Sequence, residues 1–357
     1  MSKVNPDFLS EIKKFGGVDF SACYNCGNCT AVCSLSTPEH SFPRMMVRAS
    51  VVGLEDKITS SLDPWLCYYC GECSLSCPRQ ANPGELMMAL RRWLIAKYDW
   101  TGLSGLLYKF LPATIIAFVI TALAVIGVAA YYNFEPEPIM HFGHLFEFFA
   151  ILTVFLVILL PNLVRMWYFL VLKPGKKVTL KSYLKSFDDL FIHMFTQKRT
   201  LGCDESRTRW LEHMILVLGY LTLLFTTVVL DWFNAGNIFV VALGYLVSTV
   251  VFADTFLFVR GRMKKNRENN KFSQPSDWLF VIWLFLLGFT AFIVRLFVDL
   301  NLIENNLWLY LVHMIVLVQW ALLIVPFGKW THFLYRSFAM YFEKVFETEK
   351  ALQKQKK

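Results

Sequence analysis

Eight of the nine cysteines fall into two copies of one pattern, Cys23-x-x-Cys26-x-x-Cys29-x-x-x-Cys33 and Cys67-x-x-Cys70-x-x-Cys73-x-x-x-Cys77-Pro78. Three thiolates at this spacing wrap three corners of one iron–sulfur cube, and the fourth starts the next helix and reaches the other cube. On that logic one [4Fe-4S] cluster takes Cys23, Cys26, Cys29 and Cys77. The other takes Cys67, Cys70, Cys73 and Cys33. Gly27 and Gly71 lie inside the turns, where backbone must approach the cluster. Ser34 follows Cys33 where Pro78 follows Cys77, a difference outside the ligand set. Zinc sites rarely use this four-Cys spacing. Cys203 stands alone and reads as a plain thiol.

The histidines form a second set. His141, His144, His193, His213, His313 and His332 all follow the cysteine motifs, in strongly apolar text. An imidazole in lipid is expensive and points to function. Paired histidines on different helices hold a b-type haem, one on each face of the iron.

These residues need elements to carry them. Residues 1–100 hold 10 Lys/Arg and 10 Asp/Glu, and no apolar run there is long enough to span a bilayer. The stretch 1–17 lacks the apolar core of a signal peptide, so this half is expected to stay in the cytoplasm, where thiols remain reduced. Helices are expected over 43–53 and 84–97. From about residue 110 six long apolar runs appear, at about 110–131, 143–171, 211–231, 237–259, 278–299 and 307–327. Residues 181–195 have the periodicity of an amphipathic helix, placed either at the membrane interface or packed on the surface. The expected architecture is all-α. A helical two-[4Fe-4S] ferredoxin-like domain (1–100) precedes a six-helix transmembrane haem b bundle (101–340) and a basic tail (341–357).

Charge placement sets the expected orientation. Connection 172–209 carries nine Lys/Arg against four acids, 260–277 six against two, and 328–357 seven against three. Positive connections stay inside, so both termini are expected in the cytoplasm. The formal charge of +8 is then topology and not a nucleic-acid patch.

Depth pairs the histidines. His313 and His332 are 19 residues apart, about 28 Å along a helix and close to the hydrocarbon thickness. One helix can then serve an outer haem, with His144, and an inner haem, with His213. His141 is the alternative to His144, and His193 the alternative at the inner haem. On a straight helix His313 and His332 would point about 100° apart, and Pro326 between them is expected to bend the segment. Arg165 and Arg295 are candidate partners for haem propionates, and Glu147 a candidate proton carrier for a quinone near the outer edge.

The run CGECSLSCPRQANPGELMMALRRW, preceded by DPWLCYYC, resembles the two-cluster C subunit of heterodisulfide reductase. VPFGKWTH (325–332), with His213 at the head of an apolar run, resembles the haem helices of the nitrate reductase gamma subunit. That family has a second His ten residues further on, where this chain has Leu223. Both halves in this order resemble the C subunits of quinone-interacting membrane-bound oxidoreductase (Qmo) complexes. The resemblance implies two [4Fe-4S] clusters, two b haems and menaquinone as substrate. It also implies flavin/iron–sulfur partner subunits A and B, a link to adenylylsulfate reductase, and a quinone-reactive role within an oxidoreductase. A heterodisulfide-type module without quinone chemistry, or a redox sensor, is the alternative. No two cysteines are adjacent, so the Cys-Cys-Gly motif of that active site is absent. No nucleotide or flavin fingerprint occurs.

Overall fold

The computed structural model describes residues 3–202, 206–226, 237–265 and 268–355. Among them there is no β-strand, only an isolated bridge between Thr37 and His40. Cys203 and the outer end of the third apolar run lie outside the described residues.

The expected N-terminal helices are Arg44–Val52 and Pro83–Tyr98. Pro83 opens the second, where its missing N–H costs nothing. Gly53 ends the first in the left-handed region, at φ 76°. A side chain there would meet the Asn5 carbonyl at 2.1 Å, so only glycine fits. Phe8, Ile12, Met46, Ile58, Trp65, Leu90, Trp93 and Leu94 form the core of this part, each nearly or fully buried. Pro83–Tyr98 is buried on almost every side, because the cluster loops cover one flank and the membrane part covers another.

Among the described residues five helices are long and apolar enough to cross a membrane: Leu111–Tyr131, Pro136–Leu172, Ile238–Lys264, Pro275–Asp299 and Glu304–Gln355. The helix Ser206–Phe225 carries the start of the third expected run. Large apolar side chains point outward along these helices, such as Ile120 at 60% and Leu123 at 61% exposure. In water such a surface would aggregate, and in lipid it is already solvated.

The last long segment is not one straight rod. It runs Leu307–Gln319, widens into a π-helical turn at Trp320–Ile324, and leaves helical geometry at Gly328. A Cβ at Gly328 would sit 2.6 Å from the Ile324 carbonyl oxygen. The expected bend is therefore made by this glycine and the π turn as well as by Pro326. A new helix, Thr331–Gln355, starts one residue before His332. The expected basic tail at 341–357 is, as far as Gln355, the second half of this helix, with Tyr341, Phe342 and Val345 in the core.

The stretch 181–195 forms two helices, Leu180–Lys185 and Phe187–Thr196. One face packs on Thr331–Gln355: Ser182 Oγ donates to Glu349 at 2.7 Å, and the Tyr341 hydroxyl donates to the Tyr183 carbonyl at 3.1 Å. The other face exposes Leu180, Leu184, Phe187, Phe191 and Phe195. The two halves of the expectation are thus both present, a packed face and an unpartnered apolar one.

A buried ion network joins the two parts. Asp277, at the start of Pro275–Asp299, accepts from Arg92 at 2.9 Å and from Lys329 at 2.6 Å. Arg92 also donates to the Phe15 carbonyl at 2.9 Å. One carboxylate therefore ties the Pro83–Tyr98 helix, the Pro275–Asp299 helix and the turn before His332 together.

Candidate functional site

The two cysteine motifs build the same local structure twice. Asn25 and Tyr69 are left-handed, at φ 60° and 57°, and Gly27 and Gly71 follow at 95° and 93°. Each turn then opens a one-turn helix, Asn28–Ala31 or Glu72–Leu75. The Asn25 amide points at Cys23 Sγ at 3.3 Å, and the Tyr69 amide at Cys67 Sγ at 3.4 Å. Such N–H groups stabilise charge on sulfur.

The thiols group as the spacing argument expects. Cys23, Cys26 and Cys77 act electrostatically on Cys29. Cys33 has Cys67 and Cys70 as its strongest thiol neighbours, and Cys73 has Cys67, Cys70 and Cys33. The fourth cysteine of each motif therefore crosses to the other set. Cys29 and Cys67 are buried, Cys26 is exposed, and all eight are free thiols. Burial pushes the Cys33 thiol up to about 11 and raises Cys29, Cys67 and Cys73 as well. Iron must therefore expel protons as it binds. Among the described residues no three His, Cys, Asp or Glu converge as a single metal ion requires. Ligands to a cube hold separate iron corners, so a wider grouping suits it.

Arg91 reinforces the second set. It is buried on the Pro83–Tyr98 helix, and its guanidinium donates to the Pro64, Trp65 and Cys67 carbonyls. Burial lowers its pKa to about 10, which still leaves it charged at neutral pH.

In the membrane part the structure brings His213 and His332 together. Their ring centroids are 6.5 Å apart with planes 79° from parallel. An iron between two imidazoles needs centroids about 6 Å apart. The rings line a cleft with ≈ 480 Å³ of empty space, walled by Tyr220, Phe280, Trp320 and Trp330 among others. Trp320 Nε1 donates to the Tyr220 hydroxyl at 3.1 Å, which fixes that wall. His332 Nδ1 donates to the Lys329 carbonyl at 2.5 Å, which leaves Nε2 as the lone-pair nitrogen. The buried Nδ1 of His213 has no hydrogen-bond partner among the described residues. A cleft with aromatic walls, lined by two imidazoles at this separation, fits a b-type haem.

His313 is oriented in the same way. The Thr290 hydroxyl donates to the Leu286 carbonyl at 2.7 Å, so its oxygen accepts from His313 Nδ1 at 2.8 Å. Nε2 is again left unprotonated. The expected partner stands at the right depth but on another face. Gly143 packs on Tyr310 and Met314, the next residue round the helix is His144, and both His141 and His144 are exposed. Among the described residues no ring contact joins His144 to His313. Glu147 lies near enough to Tyr310 to act on it electrostatically.

Three other expected residues have protein partners instead. Arg165 donates from Nε to the Tyr98 carbonyl at 2.9 Å and from Nη2 to the Lys97 carbonyl at 3.1 Å, capping the end of Pro83–Tyr98. Arg295 pairs with Asp299, four residues on, at 3.2 Å. His193 pairs with Asp189 at 3.6 Å and does not line the His213–His332 cleft. Leu223 is buried in the apolar core with Trp320. Sequence reasoning missed Thr290, which holds His313 Nδ1.

The fold and the thiol grouping define a class: an all-α protein with a two-cluster iron–sulfur segment joined to membrane-length helices. Residues 22–82 match the family model described as a 4Fe-4S dicluster domain, and this span holds all eight motif cysteines. Two [4Fe-4S] clusters and an electron-transfer role for this segment follow. A protein of Archaeoglobus profundus described as like the C subunit of heterodisulfide reductase is 32% identical over 88 residues, 24% of this chain and 47% of that protein. The C subunit of the H(2):CoB-CoM heterodisulfide,ferredoxin reductase of Methanothermobacter marburgensis is 34% identical over 88 residues, 25% of this chain and 48% of that one. The iron–sulfur C subunit of the CoB–CoM heterodisulfide reductase of Methanopyrus kandleri is 31% identical over 96 residues, 25% and 50% respectively. The chain spans about half the length of these curated relatives. No solved structure matches it.

Proposed function

We propose that the chain is the membrane electron-transfer subunit of an oxidoreductase complex. It passes electrons between menaquinone and flavin/iron–sulfur subunits of the A and B type, through two b haems and two [4Fe-4S] clusters. The resemblance to Qmo C subunits supports a link to adenylylsulfate reductase. The basic connections support placement in the cytoplasmic membrane with the cluster part, residues 1–100, facing the cytoplasm. The observation that carries the reading is the close pair His213 and His332; the His332 helix shares the core of the cluster part, and the His213 helix reaches it through Arg209.

Haem supplies one-electron storage at each site; the protein sets position and potential. His213 and His332 would hold the inner haem. His313 would hold the outer one, with its partner drawn from the His141–His144 turn. Lys329 and Thr290 fix the two imidazoles through their Nδ1 atoms, and Tyr220, Trp320 and Trp330 exclude water from the cleft. The cysteine sets continue the route, and the exposed Cys26 and Tyr24 mark where a soluble partner approaches.

The test is a reduced-minus-oxidised spectrum of the purified chain in lipid nanodiscs with a menaquinol as sole donor. Haem b bands that appear before the clusters bleach support the reading, and a spectrum without haem refutes it. The heterodisulfide reductase relatives favour a second reading, a quinone-independent module, which predicts cluster reduction by soluble donors alone.

A further inference from the structure

Arg336 is 7% exposed, and its Nε and Nη2 have no hydrogen-bond partner among the described residues. A guanidinium buried in that state calls for an anion. It lies four residues after His332 on the Thr331–Gln355 helix, so the two share a face. Arg209 lies four residues before His213 on Ser206–Phe225 and shares a face with it in the same way. Its Nη1 donates to the Tyr69 carbonyl at 2.9 Å, in the loop between Cys67 and Cys70. Both arginines act electrostatically on His213. The charged neighbours of Arg336 are Arg91, Arg209, Cys67 and Arg199. Two cations therefore stand together on the cluster side of the His213–His332 gap, and no described carboxylate hydrogen-bonds the buried Nε or Nη2 of Arg336.

We propose that Arg336 and Arg209 form the seat for the two carboxylates of the porphyrin held between His213 and His332. This rests on the haem reading above and deepens it. The arginines replace Arg165 and Arg295, whose guanidiniums are engaged by carbonyls and by Asp299. A planar guanidinium matches a carboxylate with two parallel hydrogen bonds. The seat turns the carboxylate edge of the haem toward the Cys67 loop and places both cofactors against one arginine pair. The rival anion is the cluster bound through Cys67, and it gives a different readout.

The test compares the full chain with Arg336→Gln, Arg336→Lys and Arg209→Gln in nanodiscs. Haem content, the midpoint potential of each b haem and the cluster electron paramagnetic resonance spectrum are measured. Removing a cation favours the oxidised, more positive iron. Arg336→Gln should therefore lose one haem or lower its midpoint, Arg336→Lys should recover part of the shift, and Arg209→Gln should move the same haem. The cluster spectrum should stay as in the wild type in the Arg336 variants, while Arg209→Gln, which also frees the Tyr69 carbonyl, is read on the haem alone. Unchanged haem content and potentials in both Gln variants would overturn the proposal. So would a shift confined to the cluster, which would make Arg336 a cluster residue. His332→Ala separates the two levels: two haems retained in that variant refute the haem reading itself. One haem lost there, with Arg336→Gln indifferent, refutes only the arginine seat.

Discussion

Asp277→Ala removes the one carboxylate between Arg92 and Lys329. Asp277 and Arg92 have side chains 5% and 7% exposed, and Lys329 22%. At an effective dielectric constant near 20, each contact is worth about 6 kcal/mol before desolvation. Desolvation returns several kcal/mol per ion, so the intact network contributes little net stability. Removal is different, because two buried cations are left without their anion. The expected cost is about 3–5 kcal/mol, or roughly 100- to 5,000-fold in an opening equilibrium. Because Asp277 ties Pro83–Tyr98 to the bundle, that opening should appear in the amides of this helix. Native-state hydrogen exchange of the detergent-solubilised protein reads it directly. The triple variant Arg92→Met, Asp277→Leu, Lys329→Met should cost far less than the single change, since the two cations bonded to Asp277 are removed with it. Exchange within about fivefold of wild type in Asp277→Ala, equivalent to about 1 kcal/mol, would refute the reasoning. A triple variant as damaged as the single one would also refute it, because packing and not charge would then hold the junction.

Crossed ligation predicts that Cys77→Ala disables the cluster bound by Cys23, Cys26 and Cys29, and Cys33→Ala the one bound by Cys67, Cys70 and Cys73; paramagnetic resonance of each variant checks which signal goes. Burial raises the Asp63 carboxyl above its usual 3.8, an effect that the His40 contact only partly offsets. The folded state then holds this proton more tightly than the unfolded chain. Its stabilising effect is full below pH 3.8 and lost as pH rises through the raised value, so Asp63→Asn should flatten that slope in unfolding measurements. A Cβ at Gly143 would lie 2.0 Å from the Tyr310 hydroxyl. Gly143→Val should therefore cost about 1–3 kcal/mol in thermal melts and, on the proposed haem reading, disturb a haem at His313 before one at His332 in redox spectra.

The cysteine pattern made the cluster part legible because its spacing encodes local geometry: two turns, two left-handed glycines and two short helices follow from the two repeats. Apolar runs found five of the spans, since length against a bilayer is a strong constraint, although the second helix starts seven residues early at Pro136 and the outer end of the third run lies outside the described residues. Matched depth, with the gamma-subunit resemblance, paired His213 with His332, whose rings the structure brings together, and left His193 as the alternative. Depth does not fix which way a side chain faces. His144 reaches the level of Tyr310 and Met314, but Gly143 takes the packed position, and a rotation of about 100° per residue turns His144 outward. The arginines misled for a related reason. Arg165 and Arg295 lie near the spans in sequence, but a guanidinium goes to the nearest unsatisfied acceptor, here helix-end carbonyls and Asp299. The Asp277 network joins residues 185 apart, a separation that no local pattern reports.

On the proposed reading, electrons from quinol reach the clusters through the haem that His332 would hold. The direct measurement is the rate of cluster reduction after a menaquinol is mixed with the protein in nanodiscs, compared between wild type and His332→Leu. Clusters that reduce in the wild type and stay oxidised in the variant, with their paramagnetic signals intact on adding dithionite, are predicted. Equal rates of cluster reduction in the two proteins would contradict the account.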